Sequence, residues 1–572
     1  MDGSGGQPFE ADVAVSGGKI AAVGRVLSRG REEIDAKGRL VTPGYVDVHT
    51  HYDGQVTWDN RLAPSSGHGV TTVVIGNCGV GFAPCRPEQR DALIRLMEGV
   101  EDIPKIVLAD GIPWEWESYP QMLDFLAARR FDADVASYVP HAALRTYVLG
   151  DRALAQEAST EAEIAEMGRI LHNAVEAGAL GFGTSQTLFH RASDGSYTPT
   201  LAAGEAEYTG LALALKEAGR GVMQFVVEWT GDWRPRFEMM RRLAERSGRP
   251  VTFALTQNHE VPTVWSDVLD AVTEANKAPG VDMTLQVLPR PLGVLLGLEL
   301  TLNPFYSTET YRRLADLPLA ARVAELRKPE VKARILAENN DPSPLQLVGL
   351  RVRNFEQLFE LADPLDYEPL PDRSIGAQAG RLGVSPESLA YDKLLERDGR
   401  NMLYLAFANY ADFSLDPTRA MLMHPNAVPG LGDGGAHLGT ICDASTFTYM
   451  LTHWARDRRR GPKLPIERLV HLLTRAGAEA VGLRDRGLVR PGYRADLNVI
   501  DFDRLQLRLP RLSHDLPAGG RRLMQDAEGY DATIVAGRIT RRGGEATSEL
   551  PGRLVRGQQP EPAAAREREH QA

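Results

Sequence analysis

The sequence predicts an α/β protein built on a (β/α)8 TIM barrel, in which eight parallel strands are each followed by helical chain. Apolar runs of strand length alternate with helix-like stretches from Gly44 onward, which is typical of βα units around a parallel sheet. Polar residues with metal-binding chemistry follow several of these runs, where barrel proteins place their sites. The candidate strands are Gly44–Val48, Val70–Ile75, Val135–Val139, Ala179–Gly183, Gly221–Val227, Pro250–Thr256, Val281–Leu288 and a run near Val428–Asp433.

Helix-start signals lie between these strands. Thr160 and Glu163 form a capping-box pattern ahead of a run with helical periodicity, because each side chain can bond a backbone N–H of the other. Ser385 followed by Pro386 is an N-cap with proline in the first turn, and it predicts a helix over Glu387–Glu396. Both signals support the alternating pattern.

The stretch between the seventh and eighth candidate strands is too long to be a simple connection. It contains helical patterns at Tyr311–Glu325 and Pro329–Glu338. We therefore predict a long helical insertion at about residues 291–427. We expect it to form a lid or a subunit contact, which leaves assembly into a homo-oligomer open.

Composition restricts the class of protein. The 572 residues are too many for one compact domain, and 43% hydrophobic residues are usual for a globular chain. A net charge of −11 argues against a nucleic-acid partner, and we expect the densest basic run, Arg456–Arg460, to be a solvated helix end. The apolar runs are too short for a membrane span. With 3 cysteines and an N-terminus unlike a signal peptide, we expect a cytoplasmic location.

The strongest chemical signal follows the first two candidate strands. His49 and His51 project on the same side of the first strand because side chains alternate with period two. Cys78 follows the second strand and, if the strands are parallel neighbours, reaches the same end of the sheet. Two imidazole nitrogens and one thiolate sulfur are suited to zinc.

The surrounding stretch, Val41–Cys85, resembles the amidohydrolase superfamily in its D-aminoacylase (N-acyl-D-amino-acid deacylase) branch. The resemblance is carried by Pro43-Gly44 before the first strand, Asp53 after the histidines, and GNCG after the second strand. The GNCG motif is specific to the branch, which uses a cysteine as bridging ligand where most other branches use a carbamylated lysine. The resemblance extends to about residue 545.

The resemblance also implies a domain organisation. Short β-type runs at both chain ends would form a β-sandwich from residues 1–41 and 486–545, beside a hydrolase barrel over 42–485. Related chains begin with a further strand ahead of the turn at Asp2–Gly6, so we expect the first sandwich strand to be missing. The polar tail, 546–572, is expected to be disordered at its end.

Asp433, in GLGDGGAH, is by resemblance the aspartate that ends the eighth strand, contacts the metal and transfers protons. Amide hydrolysis requires such a group, because the attacking water loses a proton and the departing nitrogen gains one. An ordinary Asp-Gly turn is the alternative interpretation.

The fifth and sixth strands depart from the family pattern. The branch presents a histidine at the end of each, whereas the fifth strand here has none and Glu228 is the strongest ligand type at its end. His259 follows the sixth strand as a candidate further ligand or substrate contact. We therefore expect one zinc ion, with a second ion as the alternative and Cys78 as a terminal ligand. The expected ligands of that ion are His49, His51, Cys78 and Asp433.

Other polar residues are candidates for contacting substrate. His141 ends the third strand in a segment that resembles a family region near the substrate, and Glu228 lies after the fifth. Arg290 could form a bidentate pair with a substrate carboxylate, and a structural role is equally compatible with its position. His437 could orient Asp433 or the substrate.

These residues predict a zinc-dependent amidohydrolase acting on a small molecule. The resemblance implies deacylation of N-acyl-D-amino acids by a zinc-activated water, with Asp433 as general base and acid. One alternative is an amidohydrolase that acts on a cyclic or other amide. A second is a catalytically silent scaffold that retains the barrel.

Overall fold

The computed structural model describes residues 1–338 and 352–563. Its centre is a ring of eight parallel strands, in the order in which they occur along the chain. The barrel strands are Tyr45–Asp47, Val70–Ile75, Asp134–Ser137 continued by Val139–Pro140, Gly181–Gln186, Val222–Val227, Val251–Leu255, Met283–Val287 and Ala427–Pro429.

The ring closes beyond the ends of the first and eighth barrel strands. Thr50 and Gly434 form a parallel bridge, and the backbone N–H of His51 donates to the carbonyl of Gly434 at 2.8 Å. The predicted (β/α)8 fold is confirmed. The closure lies at the carboxyl ends of the strands, so it joins the two segments that carry His49, His51 and Asp433.

The helices that surround the barrel begin where the sequence signals predict. Thr160 caps Glu161–Ala177 by accepting from the backbone N–H of Glu163 at 3.3 Å, and the Glu163 carboxylate accepts in return. The α-helices before the insertion are Gln55–Trp58, Arg90–Glu101, Lys105–Gly111, Tyr119–Ala128, His141–Leu149, Asp151–Leu154, Glu161–Ala177, Glu205–Glu217, Arg234–Ser247 and Val264–Ala275. After the eighth strand come Thr446–Tyr449, the π-helical Met450–Asp457, Ile466–His471, the π-helical Leu472–Ala476 and Gly477–Ala480.

The insertion between the seventh and eighth strands contains helices and also a sheet that the sequence did not predict. Its strands Leu292–Leu296, Leu403–Ala408 and Leu358–Glu360 are antiparallel, with Leu403–Ala408 in the middle. The predicted Tyr311–Glu325 helix is two helices, because Pro318 disfavours helical backbone in the residue before it. The helices of the insertion are Glu309–Leu314, Leu319–Leu326, Pro329–Ala337, Ile375–Leu382, Pro386–Gly399 and Asp416–Met423.

The basic run Arg456–Arg460 attaches this insertion to the barrel. Arg458 is buried, and its guanidinium contacts Glu368 at 3.0 Å and Asp416 at 2.8 Å. Arg460 donates to the carbonyl of Phe413 at 2.7 Å. The prediction of a solvated helix end is therefore wrong, because these charges pair with residues distant in sequence.

Strands from both chain ends form a sheet beside the barrel. It orders Glu545–Ala546, Arg538–Arg542, Tyr530–Val535, Leu497–Ile500 and Leu40–Pro43 as neighbours. Smaller antiparallel pairs are Asp12–Ser16 with Lys19–Gly24, Gln506–Leu507 with Ala527–Glu528, and Arg511–Ser513 with Arg522–Met524. Leu40–Pro43 leads directly into the first barrel strand.

The first part of the tail is hydrogen-bonded to the barrel. Gly552 pairs with Phe131, Leu554 pairs with Val135 of the third strand, and Gln559 pairs with Leu483. The rest of the segment for which we expected disorder, 564–572, lies outside the described residues. Within residues 1–338 and 352–563, no helix combines the length and apolarity needed to cross a bilayer.

Candidate metal centre

The first barrel strand delivers two buried imidazoles to the carboxyl end of the barrel. His49 and His51 are 0% and 1% exposed, and their ring centroids are 5.4 Å apart. Thr50, between them, faces the other way and holds the eighth-strand segment through its bridge to Gly434. The alternation of a strand therefore places both rings on the site side, as predicted.

The GNCG turn places the cysteine beside the first histidine. Cys78 has a φ of 55°, in the left-handed region, and its backbone N–H donates to Gln224 Oε1 at 3.1 Å. Gly76 is required before it, because a Cβ there would lie 2.2 Å from the carbonyl oxygen of Tyr138. The turn brings Cys78 Sγ to 3.3 Å from His49 Nε2.

Asp433 approaches both histidines from the segment after the eighth barrel strand, which is the neighbour of the first strand on the side away from the second. Its Oδ1 is 3.6 Å from His49 Nε2 and 3.8 Å from His51 Nε2. The same oxygen is buried and has no hydrogen-bond partner among the described residues. A buried carboxylate oxygen facing imidazole nitrogens and lacking a partner is the arrangement expected where a cation is held.

The donor set fits a zinc ion. Ligand atoms of His49, His51 and Cys78 all lie within 4.8 Å of one another, and they form a metal-ligand group in the described part of the chain. With Asp433 they offer two nitrogens, one sulfur and one oxygen, a combination and number suited to tetrahedral Zn²⁺. Four such side chains are compatible with one ion.

Burial in the site disfavours the charged forms of its acidic and imidazole groups. Burial raises the pKa of Asp433 well above its usual value, and the nearby negative charges of Asp443 and Asp47 raise it further. Burial also raises the pKa of Asp47 and of Asp53 to about 7, and lowers the pKa of His49 to about 4. A bound cation would lower the pKa of these carboxyl groups, because it stabilises their anionic form, and it would lower the pKa of His49 further, because it binds neutral imidazole.

A glutamine behind His49 determines which ring nitrogen faces the site. His49 Nδ1 lies 2.6 Å from Gln286 Oε1, on the seventh barrel strand. We assign the hydrogen to Nδ1, because an amide oxygen accepts and this leaves the Nε2 lone pair toward Cys78 and Asp433. Sequence reasoning missed Gln286. Its signal is a polar residue inside the apolar run Val281–Leu288.

The pattern of the amidohydrolase family matches residues 32–541. The chain belongs to the amidohydrolase family. An uncharacterized protein of Mycobacterium bovis is 29% identical, over 95% of this chain and 91% of its own length. The N-acyl-D-aspartate deacylase of Alcaligenes xylosoxydans xylosoxydans is 25% identical, over 97% of this chain and 93% of its own.

Solved structures share the fold of this amidohydrolase. A D-aminoacylase, described for its binuclear metal centre, superposes with a TM-score of 0.64 at 22% identity, over 97% of both chains. The N-acyl-D-glutamate deacylase of Bordetella bronchiseptica, complexed with zinc and a phosphonate inhibitor, gives 0.63 at 22% identity, also over 97% of both chains. With the curated relatives, these matches confirm the predicted resemblance to the D-aminoacylase branch.

Two further residues of this amidohydrolase face the site and were missed by sequence reasoning. Glu101 Oε1 is 3.4 Å from His51 Nδ1, and Glu101 is 1% exposed. His190 follows the fourth barrel strand and bonds Ser185 Oγ through Nδ1 at 3.0 Å. Burial, then the neighbouring His437 and His49, lower the pKa of His190 to about 3. Neither residue belongs to a short sequence motif, so only the fold reveals them.

Arg290 is already paired within the protein. Its guanidinium contacts Asp443 in a buried ion pair, donates to Ser445 Oγ at 3.0 Å, and lies 4.2 Å from the centre of the Tyr367 ring. These contacts favour a structural role for Arg290, which is one of the two alternatives that the sequence left open. The predicted bidentate pair with a substrate carboxylate would compete with Asp443.

We expect the substitution Arg290→Met to destabilise the fold by about 3–5 kcal/mol, because it leaves Asp443 buried without its cation. Thermal and urea unfolding measure this effect. The double variant Arg290→Met/Asp443→Asn is the control and should recover part of the loss. An unchanged unfolding midpoint, combined with a raised KM, would instead support a direct contact between Arg290 and substrate.

The remaining predicted residues lie outside the His/His/Cys group. His141 is buried, with Nδ1 2.9 Å from Thr184 Oγ1 and Nε2 2.8 Å from Glu207 Oε1. Both ring nitrogens are therefore used, and the geometry does not support its expected place in the pocket. Glu228 accepts from the backbone N–H of Leu188 at 2.6 Å. His259 is half-buried, and the metal-ligand group of the described residues does not include it.

His437 lies at the edge of the centre, in the loop that follows Asp433. Its Nε2 is 3.6 Å from Glu101 Oε2, and 24% of its side chain is exposed. Its φ of 48° and the φ of 44° at Asp433 are both in the left-handed region, which non-glycine residues rarely adopt. This strained backbone is consistent with the predicted role of His437 in orienting Asp433 or the substrate.

Proposed function

We propose that this amidohydrolase is a zinc-dependent deacylase of N-acyl-D-amino acids. The proposal rests chiefly on one observation, the convergence of His49, His51, Cys78 and Asp433 at the carboxyl end of the barrel. A zinc ion held by these residues would supply Lewis-acid activation of the amide carbonyl and of a water. Curated relatives named for deacylation of N-acyl-D-amino acids support the substrate class.

In this proposal Asp433 transfers the proton. Its carboxylate accepts a proton from the attacking water and gives it to the leaving nitrogen, which then departs as an amine. Its position beside both histidines supports the double role, because one oxygen can contact the metal while the other contacts water or substrate. Gln286 holds His49 in the tautomer that binds metal.

We also propose that the centre holds one ion. The fifth barrel strand, Val222–Val227, has no histidine, and His259 after the sixth strand is outside the ligand group of the described residues. Cys78 would then be a terminal ligand. Metal analysis of purified protein tests the number: one zinc per chain is expected, and two tightly held ions would contradict it.

A second candidate function is hydrolysis of a cyclic or other amide that lacks a free carboxylate. The observation in its favour is the buried ion pair between Arg290 and Asp443. Because Asp443 already neutralises the Arg290 guanidinium, this group is not free to bind a substrate carboxylate. Both candidates share the same metal chemistry, and they differ in the leaving group.

A substrate screen separates the candidates. Zinc-loaded protein is incubated with paired N-acyl-D- and N-acyl-L-amino acids and with cyclic amides, and released amine or opened ring is measured. Hydrolysis of the D series is the expected result. Hydrolysis of cyclic amides alone would favour the second candidate, and inactivity on all of them would contradict both.

A further inference from the structure

We propose that Glu101 is a positioning residue that orients the metal ligand His51 and couples it to the loop carrying Asp433. This inference rests on the proposed metal centre. Glu101 Oε1 is 3.4 Å from His51 Nδ1, while His51 Nε2 faces Asp433 at 3.8 Å. The carboxylate therefore faces one ring nitrogen of His51, and Asp433 faces the other.

The two facing atoms have no other partner. His51 Nδ1 and Glu101 Oε1 are both buried, and neither has a hydrogen-bond partner within residues 1–338 and 352–563. A buried nitrogen and a buried carboxylate oxygen that face each other are costly unless they bond. A small reorientation of either side chain would align the two atoms and satisfy both, with Nδ1–H donating to Oε1.

The chain holds Glu101 in this position from two directions. Glu101 ends the helix Arg90–Glu101, and its backbone carbonyl accepts from the N–H of His437. Asp102 follows in the left-handed region, with φ 52°, and its carboxylate bonds the insertion and the loop after the eighth strand instead of the histidines. That carboxylate accepts from Thr301 Oγ1 at 3.1 Å and from the backbone N–H of Gly439 at 3.3 Å.

These contacts connect three separate parts of the chain. The helix that follows the second barrel strand meets the loop after the eighth strand at His437 and Gly439, and it meets the insertion at Thr301. The second carboxylate oxygen of Glu101 lies 3.6 Å from His437 Nε2. One side chain therefore faces two histidines, one that binds the metal and one four residues beyond Asp433.

The two metal-binding histidines have different outer partners, and this difference has a chemical consequence. His49 is backed by the neutral amide of Gln286, whereas His51 is backed by a carboxylate. A carboxylate fixes the Nδ1–H tautomer, leaves the Nε2 lone pair for the metal, and makes the imidazole a stronger donor than an amide does. His51 is thus the more strongly donating nitrogen ligand.

The test is the metal affinity of Glu101→Gln, measured by competition with a chelator for Zn²⁺. Glutamine keeps the shape of the side chain and removes its charge. We expect affinity to fall by about 10–100-fold, the usual cost of losing an outer-shell partner, and the visible absorption bands of the Co²⁺-loaded protein to shift. Glu98→Gln is the matched control, because Glu98 lies on the same helix but its carboxylate accepts from the backbone N–H of Lys105 at 3.0 Å.

The stability of the metal-free protein separates positioning from packing. Glu101→Gln should leave the metal-free unfolding temperature unchanged or raised, because it removes a buried carboxylate that lies near other carboxylates. A variant that loses stability and keeps its zinc affinity would overturn the proposal. Should Glu101→Gln fail to fold, Glu101→Asp, which retracts the charge by one methylene, is expected to fold and to bind zinc more weakly than wild type.

The proposal and the proposed function fail in different ways. Zinc affinity of Glu101→Gln within about threefold of wild type, with unchanged Co²⁺ bands, would overturn the role of Glu101 alone. Wild-type protein that binds no zinc would overturn the metal centre and with it both proposals. Wild-type protein that binds zinc but hydrolyses no amide would contradict the proposed function, while the effect of Glu101→Gln on affinity would still support this inference.

Discussion

Asp433→Asn is expected to lower kcat by about 10²–10⁴-fold, the usual contribution of a positioned general acid–base group. Asparagine keeps an oxygen near His49 and His51, so the fold and most of the metal binding should persist. It does not accept and return a proton, so both proton transfers lose their carrier. Steady-state kinetics on zinc-loaded protein, with metal content measured on the same sample, test this expectation.

The control for this variant is a buried aspartate at the other end of the barrel. Asp132 precedes the third barrel strand and accepts from the backbone N–H of Leu62 at 2.8 Å. Residues at that face support stability and not chemistry. Asp132→Asn should therefore change the unfolding temperature and leave kcat unchanged. An Asp433→Asn protein that holds zinc and retains wild-type kcat would show that another group moves the proton.

The sequence predicted the barrel because its signals are local. Each apolar run is bounded by polar or glycine residues, so all eight strands could be identified from short windows. The capping box at Thr160 and the proline after Ser385 mark helix starts by the same local logic. The three candidate ligands His49, His51 and Cys78 could be grouped from sequence because parallel neighbouring strands end at one edge.

The features that sequence reasoning missed depend on contacts between distant residues. Glu101 reaches His51 through the end of a helix, and Gln286 reaches His49 across the barrel. Arg458 pairs with Glu368 of the insertion and is buried, whereas the sequence predicted a solvated charge. The periodicity of a single segment contains no information about its partner in such pairs.

The same distinction applies to the predicted substrate contacts. His141 follows a strand, as a site residue would, but the helix that begins there directs its ring toward Glu207 and Thr184. Arg290 also follows a strand and is neutralised by Asp443, which lies after the eighth strand. Position at a strand end predicted where these residues lie, and it did not predict which group each one bonds.

Cys78→Ser is expected to abolish tight zinc binding and the stabilisation that zinc provides. Zinc present at about 1,000 times its dissociation constant stabilises a folded protein by about 4 kcal/mol, so wild-type protein should unfold at a clearly higher temperature with zinc than without it. Serine replaces a soft thiolate ligand by a hydroxyl that zinc binds weakly. The affinity loss should exceed the about 10–100-fold expected for outer-shell changes.

Cys85→Ser is the matched control, because Cys85 is also buried but bonds the carbonyl of Arg86 through its Sγ and lies outside the ligand group of the described residues. Its thermal response to zinc should equal that of wild type. The Co²⁺-loaded proteins give a second readout, because a thiolate ligand produces a sulfur-to-metal charge-transfer band that Cys78→Ser should lose and Cys85→Ser should keep. If Cys78→Ser keeps the zinc-dependent rise in unfolding temperature, the sulfur is not a ligand, and His49, His51 and Asp433 must hold the ion without it.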